Sequence, residues 1–246
     1  MTMRKQESSL PAGTQSQTAG TDTPRRTVRS YVLRAGRSTA AQQRALVELW
    51  PRYGVEFTPQ ALDLDQLFAR RAPRMIEIGF GAGEALLAFA RAHPGMDCIG
   101  IEVHRSGVGH LLLGAHEAEL TNLRIICHDA VEVLQRQIPP ASIALVHIFF
   151  PDPWHKKRHH KRRLIQPAFM DVLATAIAPA GTLRLATDWE HYAQHMREVI
   201  DAHPEFRNIS PGTGFMPRNE ERPLTRFERR GQRLGHDVWD LEYFRR

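Results

Sequence analysis

Between Arg74 and His203 short apolar runs alternate with amphipathic stretches, and that rhythm restricts the fold more than any other feature of the chain. Apolar runs of about four to eight residues read as buried strands, here at Met75 to Ile78, Cys98 to Ile101, Leu123 to Cys127, Ile143 to Phe150 and Thr182 to Ala186. Helical stretches lie between and after them: Glu84 to Ala92, closed by His93-Pro94-Gly95; Arg105 to Leu120, with Val108, Leu111, Leu112, Ala115 and Ala118 on one face; and Val131 to Gln135. Gln166 to Ala178 follows, stopped by Pro179-Ala180-Gly181, then Trp189 to His203 behind a cap at Asp188 or Thr187. Strands separated by helices require crossovers, so the pattern predicts an α/β fold with a parallel sheet and helices on both faces. Upstream, Gln42 to Trp50 is predicted helical and ended by Pro51; downstream, Pro211 to Arg222 reads as loop and Val238 to Phe244 as a half-buried edge strand.

A chain of 246 residues holds one such domain with a substantial core. Residues 1–24 are rich in Thr, Gln, Ser and Gly with almost no large apolar side chains, which predicts a disordered tail before a single domain over 25–246. That domain opens with RRTVRSYVLRAGR, a basic arm at Arg25 to Arg37 that suits an amphipathic lead-in or a cover over RNA or cofactor. The hydrophobic fraction of 42% is ordinary, no apolar run is long enough to span a bilayer, and the N-terminus lacks an apolar signal core, so a cytoplasmic location is expected. A net charge of +6 favours polyanionic partners. The two cysteines, Cys98 and Cys127, fall in strand-like runs and read as small buried side chains.

The ends of the strands carry the chemistry. The first leads into Glu77-Ile78-Gly79-Phe80-Gly81-Ala82-Gly83-Glu84, where glycines permit a tight turn and close approach of a ligand. The spacing departs from G-x-G-x-x-G, since Glu84 and Leu86 occupy the positions a third glycine would need. The loop's carboxylates suit a cation better than a pyrophosphate, which points to a ligand with an ammonium or sulfonium group such as S-adenosylmethionine. Glu102, about twenty residues beyond the glycines, can accept ribose hydroxyls, and Asp129 can reach an adenine amino group. Each acid alone is unremarkable surface charge; Glu77, Glu102, Asp129 and Asp152 at four successive strand ends are specific.

The fourth strand runs into FFPDPWHKKRHHKRR at Phe149 to Arg163. Asp152 lies between Pro151 and Pro153, so its backbone is restricted on both sides. Lys156, Lys157, Arg158, Lys161, Arg162 and Arg163 follow as the densest positive charge in the chain. Basic runs are often plain solvated surface, but one placed at the carboxyl end of a sheet strand, where α/β folds bind ligands, favours nucleic acid. His191 and His195 are spaced i, i+4 without a third ligand, so no metal site is expected.

These residues resemble the bacterial tRNA (guanine-N7-)-methyltransferases over roughly Arg25 to Phe244. FFPDPWHKKRHHKRR is specific to that family, the E-x-G-x-G-x-G turn is shared with many S-adenosylmethionine enzymes, and RSYVLRAGR, GIEVH, ATDWEHY and TRFERRG match further. The resemblance implies a Rossmann-like class I methyltransferase with a mostly parallel seven-stranded sheet, methylating a variable-loop guanosine of tRNA, position 46. It implies cofactor contacts from Glu77, Gly79, Gly81, Gly83, Glu102, Asp129 and Asp152. Substrate contacts are implied from Lys156, Asp188, Thr225, Arg226, Phe227 and Glu228, with Arg158, Lys161, Arg162 and Arg163 as phosphate contacts beside them. No obligatory protein partner is implied, and monomer and homodimer both stay open.

Guanine N7 carries a lone pair and no proton, so its methylation needs alignment rather than a base. The product base is cationic, and a fixed carboxylate stabilises the charge as it forms. Asp152 is the expected catalytic group for this, with Asp188 second; Trp154 or Phe227 could stack on the base or serve the core. The alternatives are a methyltransferase on another RNA or a small molecule, which salt dependence would separate, and a noncatalytic RNA-binding protein, which the acids at the strand ends disfavour.

Overall fold

The structure is a computed structural model describing residues 30–31, 38–210, 212–218, 222–224, 228 and 237–246. The expected tail, most of the basic arm, and Thr225, Arg226 and Phe227 lie outside the described residues. Helix α1 (Ala40–Glu48) starts behind Thr39, whose Oγ1 accepts the Gln42 N–H at 3.2 Å while Gln42 Oε1 accepts the Thr39 N–H at 2.9 Å; the exchange satisfies two donors at the helix start. Pro51 does not end this segment. It sits in the first turn of α2 (Trp50–Tyr53), where its missing N–H has no helical partner to lose. The two-residue β1 (Gly54–Val55) and the short α3 (Leu64–Phe68) come next, both too brief to show a period in the sequence.

The predicted alternation follows: β2 (Arg74–Ile78), α4 (Glu84–Ala92), β3 (Asp97–Ile101), α5 (Arg105–Glu117), β4 (Leu123–Ile126), α6 (Ala130–Arg136) and β5 (Ile143–Phe149). The basic run forms a 3₁₀ helix at Lys157–Arg162. Beyond it come α7 (Pro167–Ala176), β6 (Ile177–Thr187), α8 (Glu190–Asp201), β7 (Phe206–Asn208) and β8 (Trp239–Arg245). Pro179-Ala180-Gly181 belongs to the irregular start of β6 rather than to a helix stop, with Ala180 left-handed at φ 61°. Helix α8 is capped by Trp189 and not by Asp188 or Thr187; Thr187 Oγ1 accepts the Trp189 N–H at 3.3 Å.

Among the described residues eight strands, one more than expected, form one sheet in the order β1-β4-β3-β2-β5-β6-β8-β7. The pairs from β1 to β6 are parallel, and β8 runs antiparallel to both β6 and β7. Strand β8 is therefore interior, and β7 takes the edge. Alternate residues of β2 serve different layers: Ile76 and Ile78 join the core under α6, α7 and α8, while Met75 joins the core under α1, α4 and α5. Glu77 shares the Met75 face by the same period of two. The chain moves outward from β2 to β3 and β4, then returns to β5 on the other side of β2. A parallel sheet reverses its winding there, and ligands bind at the carboxyl ends beside such a reversal.

Candidate active site

A cavity of about 390 Å³ opens at that reversal. Its walls come from four strand ends: Glu77 to Ala85 from the end of β2 onward, Ile101 to His104 from the end of β3, His128 and Ala130 after β4, and Phe149 to Asp152 from the end of β5. Ser30 and Tyr31 of the N-terminal arm complete it, so the described part of the arm lies against this cavity.

Gly79, Gly81 and Gly83 adopt φ of 70°, 57° and 81°, which side-chain-bearing residues rarely reach. A Cβ added at Gly79 or Gly81 would meet no protein atom within 4 Å, which leaves the backbone open to a ligand, whereas at Gly83 it would strike Leu111. Glu102 ties this loop to β3. Its Oε2 accepts the Gly81 N–H at 2.9 Å, and its Oε1 accepts the N–H groups of Val103 and His104 at 2.7 and 2.9 Å. A carboxylate so held has a fixed direction and still has lone pairs for hydroxyls.

Glu77 is buried, and its Oε2 has no hydrogen-bond partner among the described residues. Burial pushes its carboxyl up to about 8. The neighbour on β5 is His147, in direct register, with Nδ1 4.0 Å from Glu77 Oε2. That separation could suggest an ion pair, but burial, with Arg184 and Arg222 nearby, pushes His147 down to about 3, so both side chains are neutral. The sequence signal for His147 was an imidazole inside the run IALVHIFF.

Asp129 is half-buried and does not line the cavity; its Oδ1 accepts the Val131 N–H at 2.9 Å and caps α6. The wall there is His128, stacked on Phe57 at 3.7 Å and bonded to Glu132. Asp152 is exposed at the cavity mouth, in a turn where Phe150 and Trp154 are both left-handed, at φ 52° and 47°. Trp154 donates its indole N–H to the Ser30 carbonyl at 3.0 Å, and the Arg162 guanidinium lies 5.0 Å over its ring. That ring is engaged within the protein.

Family membership is decided by likeness along the chain. Residues 71–241 match a family described as "Putative methyltransferase". A tRNA (guanine-N(7)-)-methyltransferase of Edwardsiella ictaluri is 56% identical over 220 residues, 89% of this chain and 92% of that one. One from Thiobacillus denitrificans is 56% identical over 219 residues, 89% and 96% of the two chains. The chain belongs to the tRNA (guanine-N(7)-)-methyltransferase family. Its fold is shared with a 16S rRNA methyltransferase, KamB, at a TM-score of 0.53 and 16% identity over 74% of this chain and 92% of that one.

In this methyltransferase the residues expected to meet tRNA separate into two groups. Lys156, Lys157, Arg158 and Lys161 are exposed on and beside the 3₁₀ helix, and Arg162 is half-buried against Trp154. Arg163 departs from expectation. It is buried, donating from Nε to the Pro153 carbonyl at 3.0 Å and from Nη2 to His191 Nδ1 at 3.1 Å, with Tyr192 4.8 Å beneath it. It fastens the Pro-Asp-Pro turn from below. Asp188 follows β6, half-buried and away from the cavity wall. Glu228 is buried in ion pairs with Arg218 and Arg222. Sequence reasoning passed over Arg222 because a lone arginine in a loop has no burial signature. His195 bonds the Ile165 carbonyl at 2.9 Å, and among the described residues no cluster of His, Cys, Asp and Glu could hold a metal.

Proposed function

We propose that this chain transfers the methyl group of S-adenosylmethionine to N7 of a guanine in the variable loop of tRNA, forming 7-methylguanosine. The observation that carries the cofactor half is the buried, partnerless Glu77 oxygen in the wall of a glycine-lined cavity. A buried carboxyl without a partner is costly unless a ligand supplies one. A cationic group fits that place; a phosphate does not.

Glu77 would hold the α-ammonium, Glu102 the ribose hydroxyls, and the open backbone at Gly79 and Gly81 the body of the cofactor. Asp129, occupied at the α6 cap, would act on adenine only through its second oxygen. When bound, S-adenosylmethionine would supply an electrophilic methyl to the N7 lone pair, which carries no proton for a base to remove. Asp152 stands at the mouth, where a guanine would enter, and its fixed charge stabilises the cation forming on the base. Its place in the cavity wall supports it over Asp188 as the catalytic carboxylate. Lys156, Arg158, Lys161 and Arg162 would hold phosphates and offset the few kcal/mol of unstacking that exposes the base. Such contacts read RNA by shape and backbone. A tRNA substrate implies a cytoplasmic location; among the described residues no helix is long and apolar enough to cross a membrane.

The test is transfer of labelled methyl to unmodified tRNA followed by nucleoside mapping. Label in 7-methylguanosine of the variable loop is expected. Label in another nucleoside would move the substrate assignment to a different RNA site, and no label with cofactor bound would overturn the reaction.

A further inference from the structure

We propose that Arg222 is a positioning residue for methyl transfer, holding the Phe149–Phe150 turn so that Asp152 faces the cavity. The inference rests on the function proposed above for its kinetic readout and on geometry alone for its structural one. The Arg222 side chain is buried, and its guanidinium lies 5.4 Å from the Phe149 ring and 5.1 Å from the Phe150 ring. Two carboxylates orient it. Nη1 donates to Glu228 Oε2 at 2.7 Å, and Nη2 reaches both oxygens of Asp240 at 3.1 and 3.2 Å. Arg218 takes the other oxygen of Glu228 at 2.8 Å and donates to the Arg222 carbonyl at 2.6 Å.

The support closes on itself through the sheet. Asp240 lies on β8 opposite Ala186 of β6, and the Ala186 carbonyl accepts the Phe150 N–H at 2.8 Å. Phe150 is thus held through its backbone by β6 and through its ring by a cation anchored to β8. It needs both, because a left-handed phenylalanine persists only where its surroundings over-determine it. Asp152 comes two residues later, with Phe149, Phe150 and Pro151 in the same cavity wall. A planar guanidinium can stack on rings while its edge meets two acids; an ammonium cannot do both.

The experiment is a double-mutant cycle with Arg222→Lys and Phe150→Leu, read by single-turnover transfer at saturating cofactor and tRNA, by tRNA affinity, and by hydrogen exchange of the peptide covering 149–156. Arg222→Lys should lower the transfer rate at least tenfold, leave tRNA affinity within about twofold, and speed exchange in 149–156 at a temperature where the variant stays folded. Phe150→Leu should do the same, and the pair together should lose little more than either alone. Fully additive losses, or a folded Arg222→Lys with wild-type rate and exchange, would overturn the proposal and leave Arg222 a stabilising ion pair. If Arg222→Lys does not fold, Glu228→Gln replaces it in the cycle with the same expectations at smaller size. If the wild type transfers no methyl, the exchange measurement still decides the inference while the reaction itself is rejected.

Discussion

The two ends of this candidate site offer opposite physical means of holding a ligand. At the Glu77 end a buried carboxyl, whose strength as a partner depends on its protonation, stands beside a glycine backbone that no protein atom covers at Gly79 and Gly81. At the other end the exposed cations of the 3₁₀ helix spread charge over a solvated surface, where each contact is weak and screened. The first arrangement suits a small cofactor that must be held in one pose; the second suits a long polyanion that must be gripped and released. Acidity should therefore perturb one end and salt the other.

Asp152, between the two, gives the largest expected effect. Replacement by Ala should lower the transfer rate by on the order of 10²–10³ with tRNA affinity little changed, since the basic helix is untouched. Binding and single-turnover rates measured on the same variant check this; an equal loss of both would make Asp152 a binding group and blur the boundary between the two ends.

Removing Lys156, Lys157 and Arg158 together as Gln should come next in size. The slope of log affinity for tRNA against log salt should flatten by about two to three, with cofactor affinity unaffected. An unchanged slope would mean that the RNA lies elsewhere, and a changed cofactor affinity would couple the ends that the structure keeps apart.

The cofactor end was more legible in the sequence than the RNA end, for a physical reason. Glycines needing positive φ and acids at strand ends are fixed by local chain geometry, so Glu77, Gly79, Gly81, Gly83 and Glu102 could be placed in one turn and its neighbour before any tertiary contact was known. Arg163 and Glu228 could not. Arg163 meets His191 from a later helix, Glu228 shares Arg222 with Asp240 of β8, and a run of like charges gives no sign of which member turns inward. The same limit explains β1 and β7, strands of two and three residues that exist because a neighbour supplies their hydrogen bonds.

The last prediction probes the Glu77 end most directly. In the cofactor-free chain Glu77 titrates near 8, raised by burial from 4.5, so the folded state holds one more proton than the unfolded state between those values. Stability from this group is complete below about 4.5 and falls as pH rises through the window, by up to about 1.4 kcal/mol per unit. Glu77→Gln should flatten that slope in denaturation curves taken from pH 7 to 8, above the range where His147, neutral when folded and protonated when unfolded below about 6.5, adds the opposite slope. An ammonium ligand needs the carboxylate, so binding must expel the proton. Between pH 5 and 7 cofactor affinity should then rise by up to about tenfold per unit. Calorimetry in two buffers of different ionisation heat should count close to one proton released. His147 contributes none, because it is already neutral throughout this range. A flat affinity with no proton released would place the ammonium away from Glu77, and the contrast between an acid-sensitive end and a salt-sensitive end would fail at its acid-sensitive half.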